Sequence, residues 1–196
     1  MKNKVIALTG GIGSGKSTVL SILENARYRT LSSDKIVAEL YQKRSVKKIL
    51  KRLFPSAVSG FINLKIDRKK ISEIVFNNSD MHKKLTDAIT PLVLKEILSR
   101  TKNSVQPVFV EVPLLFECGY EKYFDAVIVV TRPLADRIQS VKNRSSLTEE
   151  QIMARINKQT DYQTKDLKDY LVIVNDGDLS ALNEKVISVT EKLLND

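Results

Sequence analysis

The chain has 196 residues, 42% of them hydrophobic and 28% charged, with a formal net charge of +9 and one cysteine. That length supports one domain with a real core, and no apolar run approaches the roughly 18 residues a membrane-spanning helix needs. Cys118 alone excludes an intrachain disulfide, which suits a reducing cytoplasm, and Met1-Lys2-Asn3-Lys4 leads into a strand-like run rather than a signal-peptide cleavage pattern.

Residues 4–9 read as a buried strand. The run Gly10-Gly11-Ile12-Gly13-Ser14-Gly15-Lys16-Ser17-Thr18 follows it, and 16–25 has a helical pattern. Gly10-x-x-x-x-Gly15-Lys16-Ser17 fits the phosphate-binding loop, and it has the strand before and the helix after that this loop requires. The glycines let the backbone turn N–H groups inward, and the helix start offers the positive end of its dipole to an anion. The binding set is Gly11, Ile12, Gly13, Ser14, Gly15, Lys16, Ser17 and Thr18, with Lys16 reaching the β- and γ-phosphates and the Ser17 hydroxyl on Mg²⁺.

Tyr28-Arg29-Thr30-Leu31 is a short second strand, after which Ser33 or Asp34 can cap a helix carrying Ile36, Val37 and Leu40. From 35 to about 104 the pattern is helical and basic. Val46, Ile49, Leu50 and Leu53 form one stripe, closed by Phe54-Pro55. Asp67 can cap a helix with Ile71, Ile74 and Val75. Ser79 or Asp80 can start another with Met81, Leu85 and Ile89, and after Pro91 the helix continues. Four short helices exceed what a crossover needs, so this stretch is expected to be an inserted subdomain.

The core resumes with strands at 107–113 and 125–130. Ala135 to Gln159 is helical but interrupted at 144–148, where Thr148 and Gln151 form a capping box. A last strand at 170–175, the turn Asp176-Gly177 and a helix over 179–194 close the chain. Strands alternating with helices imply an α/β fold, a parallel five-stranded sheet between helical layers.

The charge admits nucleic acid or a small polyanion as partner. The basic groups, Lys43 to Arg52, Arg68 to Lys70, and Lys83 with Lys84, carry no interleaved aromatics of a base-stacking platform. A solvated face with a few ligand-facing members is the reading taken, with neither nucleic acid nor membrane as partner. His82 has no second ligand at metal spacing and reads as a surface residue. Cys118 reads as a spectator thiol.

Further stretches make the chain resemble the dephospho-CoA kinase family. Leu8 to Thr18 is similar to that family's opening, and Asp34-x-Ile36 to the end of its Asp-Ala-Asp-x-Ile element. The helix over 67–76 resembles its Arg-x-x-Leu-x-x-x-Val-Phe helix, and Pro113-Leu114-Leu115-Phe116-Glu117 matches its signature after the third strand. Arg144, Leu147-Thr148-x-Glu150 and Arg155-Ile156-x-x-Gln159 resemble its lid, and Asn175-x-Gly177 its final loop. Two positions depart: the family's Asp-Ala-Asp reads Ser32-Ser33-Asp34, and its His-Pro reads Thr90-Pro91.

The resemblance implies a three-layer, nucleoside-kinase-like P-loop domain over 1–196, with a helical acceptor-binding insertion near 35–104 and a lid near 137–165. ATP and dephospho-CoA would be its substrates, with Mg²⁺ as cofactor, in a cytoplasmic monomer or weak homo-oligomer. Asp34 would be the catalytic base, against the plain alternative of a helix cap. Lys16 and the lid cation Arg144 would stabilise transferring charge, and Asn175 and Gln159 would frame the nucleotide. By its placement at the end of the third strand, Glu111 is the carboxylate near Mg²⁺ through a water-mediated contact, or equally a half-buried edge carboxylate or salt-bridge partner. The family's second lid arginine, four residues before Arg144, reads Ser140 here; Arg137 reads as a solvated helix-face charge, with a substitute for that lid cation as the alternative, and Arg68 as either an acceptor-phosphate contact or a surface charge. Ser32 and Thr90 leave open a kinase for another nucleoside-like hydroxyl. The +9 charge leaves open a P-loop switch or a nucleic-acid-associated ATPase.

Overall fold

In the computed structural model, residues 4–145, 147–162 and 164–195 are described. Met1 to Asn3, read above for a signal pattern, and Ser146, inside the helical interruption, lie outside them. The chain divides into a sheet unit, Met1–Ser32 with Asn103–Asp196, and a helical unit, Ser33–Lys102.

The sheet unit has five parallel strands: β1 (Val5–Thr9), β2 (Arg29–Ser32), β5 (Val108–Glu111), β6 (Ala126–Thr131) and β7 (Leu171–Val174), in the order β2-β5-β1-β6-β7. Their apolar runs are buried on both faces, as parallel strands between helices must be. On one face Ile6, Leu8, Phe109, Ile128 and Ile173 pack with Val19 and Leu23 of α1 (Lys16–Asn25) and Leu182 and Val186 of α8 (Leu179–Asn195). α6 (Leu134–Arg144) and α7 (Glu149–Ile156) lie between β6 and β7 in sequence, and α7 opens on the capping box of Thr148 and Gln151.

This arrangement is a three-layer α/β fold built on an all-parallel sheet. Leu8, the last residue but one of β1, stands opposite Glu111, and Glu111 stands opposite Ser32. The carboxyl ends of three neighbouring strands therefore carry the glycine-rich loop, Glu111 and Ser32 side by side, where open α/β sheets bind ligands.

The helical unit holds α2 (Ser33–Leu40), α3 (Arg44–Leu53), α4 (Arg68–Asn77) and α5 (Ser79–Thr101), with a small antiparallel hairpin of β3 (Val58–Ser59) and β4 (Lys65–Ile66). Asp67 caps α4 by accepting the Lys70 N–H at 3.0 Å. The fourth helix is not short. It spans 23 residues and runs through Pro91, because Ile89, Val93, Leu94 and Ile97 bury one continuous stripe across it. Its cap is Asn78, one residue before the expected Ser79, with Asn78 Oδ1 accepting the Met81 N–H at 3.0 Å. Among the described residues no helix is long and apolar enough to cross a membrane.

Candidate functional site

The loop after β1 depends on backbone conformations that side chains oppose. Gly13 has φ +78° and Gly15 φ +98°, both in the left-handed region. The turn they make delivers Lys16 as the first residue of α1. Lys16 is 9% exposed, and its ammonium donates to the carbonyls of Gly10 at 2.7 Å and Gly11 at 3.0 Å. Ser14 Oγ is buried with no hydrogen-bond partner among the described residues. A hydroxyl left this way costs about 1–3 kcal/mol. An anion's oxygen in the loop would relieve that cost, so the residues fit a phosphate. Ser17 and Thr18 are exposed on the first turn of α1.

Four side chains from later in the sheet unit grip the loop. Asn175 Nδ2 donates to the Ser14 carbonyl at 2.9 Å, and it leaves no room for a Cβ on Gly15. Gln159 Oε1 accepts the Ile12 N–H at 2.7 Å, while Arg137 Nε donates to the Ile12 carbonyl at 2.9 Å. Tyr162 and Thr9 share a hydroxyl hydrogen bond of 3.3 Å, and burial pushes the tyrosine up to about 12. Burial also lowers Arg137 from the ordinary guanidinium value.

Pro113 to Glu117 forms the turn after β5 and positions two of these grips. Glu117 Oε1 accepts the Thr160 N–H at 2.7 Å. The Phe116 ring packs edge-on against Tyr170 at 5.1 Å and tilted against Tyr162 at 6.0 Å, under the Lys165 ammonium at 4.1 Å. The segment carrying Gln159 and Tyr162 is thereby fixed against the turn. Beside the loop, Glu111 is 9% exposed, and Ser32 Oγ donates to its Oε2 at 3.1 Å.

A family model described as dephospho-CoA kinase matches residues 4–181. The chain belongs to the dephospho-CoA kinase family. It is 36% identical over 200 residues to the dephospho-CoA kinase of Helicobacter pylori, covering 99% of each chain. It is 34% identical over 190 residues to that of Thermus thermophilus, covering 96% of this chain and 91% of the relative. A crystal structure of a Thermus thermophilus protein superposes with a TM-score of 0.82 at 33% identity, over 98% of this chain and 99% of that one.

Within this dephospho-CoA kinase fold, the sheet unit brings together Gly11 to Thr18, Glu111 and Asn175. Arg144 is the exposed last residue of α6. Asp34 is exposed in the first turn of α2, two residues beyond Ser32, and belongs to the helical unit. It does not precede its helix as a cap does, because α2 begins at Ser33 directly from β2. His82 is exposed and Cys118 half-buried.

Arg137 departs most from its sequence reading. It is a half-buried loop contact, not a solvated charge, because the first turn of α6 runs directly against Gly11 and Gly13. Tyr162 was not singled out from the sequence at all. It lies in a polar segment with no periodic pattern, and the one available signal was the aromatic cluster it completes with Phe116 and Tyr170.

Proposed function

We propose that the protein transfers the γ-phosphoryl group of ATP to the ribose 3′-hydroxyl of dephospho-CoA, giving coenzyme A and ADP, the last step of coenzyme A synthesis. The observation that carries this reading is the family match over residues 4–181, which spans the phosphate loop, the insertion and the lid together. The nearly buried Lys16 and the unpartnered Ser14 hydroxyl support the donor half independently.

Phosphoryl transfer needs positioning and charge neutralisation more than covalent chemistry. The inward N–H groups of the loop orient the triphosphate, and Lys16 exchanges its loop carbonyls for phosphate oxygens. Asp34 accepts the proton of the acceptor hydroxyl as its oxygen bonds to the γ-phosphorus. The bond from that phosphorus to the β–γ bridging oxygen breaks, and ADP leaves with the electron pair. Arg144, on the stretch 137–165 read as the lid, compensates charge on the equatorial oxygens. Asn175 contributes to the nucleotide site by fixing the Ser14 carbonyl.

Mg²⁺ fits the donor set. Ser17 supplies a hydroxyl and Glu111 a carboxylate, both hard oxygen donors, and substrate phosphates would supply further oxygens. When bound, the ion would neutralise charge on the β- and γ-oxygens. The basic helical unit, 33–102, is the acceptor-binding insertion in this reading, and Arg68 is its contact for acceptor phosphate. A cytoplasmic monomer or weak homo-oligomer completes the reading.

The test is ADP release with dephospho-CoA against a panel of nucleosides, with the product identified by mass. Release above background for dephospho-CoA, with 3′-phosphorylated product, is expected. Background release with dephospho-CoA and turnover of a nucleoside would replace the acceptor.

A further inference from the structure

Helix α6 meets the phosphate loop at two points, and both involve Arg137. Its Nη2 lies 2.3 Å from where a Cβ on Gly11 would stand, and its carbonyl oxygen lies 2.5 Å from where a Cβ on Gly13 would stand. Gly13 must therefore be glycine for a reason separate from phosphate binding, because the backbone of the first turn of α6 fills the space, whereas a side chain at Gly11 would have to push the Arg137 guanidinium aside. The Ile12 residue between them is held on both sides. Its carbonyl accepts from Arg137, and its N–H donates to Gln159.

The guanidinium is under-compensated for where it sits. It is half-buried, and its Nε–H is the donor with a protein acceptor among the described residues. No carboxylate of the described residues lies within ion-pair distance of it. Asp161 and Tyr162 influence it electrostatically without a direct bond. A cation partly removed from water with a single carbonyl acceptor is unfavourable. The same cation packed against a loop that takes a triphosphate becomes favourable when the polyanion arrives.

We infer that Arg137 is a positioning residue for the nucleotide half of the reaction: through the Ile12 carbonyl it fixes the apex of the phosphate loop, and it holds a positive charge against Gly11. This rests on the kinase reading above. Arg137 acts on how tightly ATP is held and oriented, not on the acceptor. A residue that only packs α6 onto the sheet would instead affect both substrates and the melting temperature together.

The experiment compares R137M, R137K, G11A and the double variant G11A/R137M. Methionine keeps an unbranched apolar stem but removes the charge and every donor. R137M is expected to raise KM for ATP about tenfold, the size of one lost charged hydrogen bond. Its kcat should stay within about threefold and its KM for dephospho-CoA within about twofold, near measurement scatter. R137K restores the charge without the planar fork and should recover part of the loss. The new Cβ in G11A displaces the flexible end of Arg137 while leaving the arginine in the chain, so it should also raise KM for ATP. If both act through one contact, the double variant is no worse than the weaker single variant.

A wild-type KM for ATP in R137M overturns the inference. So does a parallel rise in both KM values with a fallen melting temperature, and so does full additivity in the double variant. Should R137M not fold, the comparison of G11A with wild type decides: an unchanged KM for ATP in G11A overturns the inference. MgATP affinity measured by calorimetry without acceptor separates this outcome from failure of the kinase reading. If wild type does not phosphorylate dephospho-CoA, the acceptor reading fails, and weaker MgATP binding in R137M still upholds the role of Arg137.

Discussion

The two units of this chain differ sharply in charge. The helical unit, 33–102, holds 16 Lys and Arg against 7 Asp and Glu, which accounts for the entire +9 of the protein. The sheet unit, 1–32 with 103–196, holds 16 of each and is neutral. α3 alone carries Arg44, Lys47, Lys48, Lys51 and Arg52 with no acidic residue. Yet the phosphate loop belongs to the neutral unit. Polyanions can be held by backbone geometry and a few placed cations, or drawn in by a broad field. The sheet unit is built for the first. The charge of the helical unit suits the second, and its ion pairs, Lys43 with Glu96, Lys83 with Asp87, and Arg100 with Glu96 and Glu39, engage only some of its basic side chains.

The sharpest break between the two halves of the reaction comes from Asp34. Asp34→Asn keeps the size of the side chain and removes the proton acceptor. Turnover should fall about 10²–10⁴-fold, the usual range for a general base, with MgATP affinity by calorimetry unchanged. Near-normal turnover would remove Asp34 from the base role. A loss of ATP affinity would tie it to the donor half. Charge reversal on α3 tests the field. K47E/K48E/R52E should lower kcat/KM for dephospho-CoA about tenfold at low ionic strength, with less effect at high salt. KM for ATP should stay within about twofold, within the noise of a surface change. Equal losses for the two substrates would show that the charge partition has no functional counterpart.

Ser32 offers a smaller test inside the neutral unit. Its hydroxyl donates to the buried Glu111 carboxylate at 3.1 Å. S32D would place two carboxylates there, and like charges at that distance oppose joint ionisation. Without Mg²⁺, S32D should be less stable by about 1–3 kcal/mol, and Mg²⁺ should restore more of the melting temperature in S32D than in wild type. Equal melting temperatures without Mg²⁺ would mean that the two side chains separate at no cost.

Elements with an extended pattern were legible in the sequence. The strands announced themselves as apolar runs, and Asp67 and the Thr148–Gln151 box marked helix starts through local hydrogen bonding. β3 and β4 could not be seen in the same way, because two residues per strand establish no period. The length of α5 was hidden by Pro91, whose cost in a helix interior, about 3 kcal/mol, is outweighed by the buried stripe on both sides of it. The loop was readable because one contiguous segment supplies most of it. Its grips were not. Arg137, the pair Gln159 and Tyr162, and Asn175 come from three separate places, and what unites them is the topology that returns α6, the segment after α7, and β7 to the end of β1. Gly11 and Gly13 looked like phosphate-loop residues alone, although the α6 backbone also requires the missing side chain of Gly13 and the Arg137 guanidinium occupies the space beside Gly11.

Salt should probe the charged unit, and alkaline pH should probe the packing around the loop in the neutral one. The Tyr162 hydroxyl is held by Thr9 and buried, with its pKa raised to about 12, whereas a tyrosine in the unfolded chain titrates near about 10. Between those values the unfolded chain has released the proton and the folded chain has kept it. Stability from this group is therefore complete below about pH 10 and is lost as pH rises towards about 12. Y162F has no proton to release, so the fall in unfolding free energy between pH 9 and 11.5, by urea titration, should be shallower than in wild type. At pH 7 the same variant should be only about 0.5–1.5 kcal/mol less stable, the loss of one neutral hydrogen bond. Parallel pH slopes in the two proteins would assign the alkaline transition to other groups and leave Tyr162 as packing around the loop.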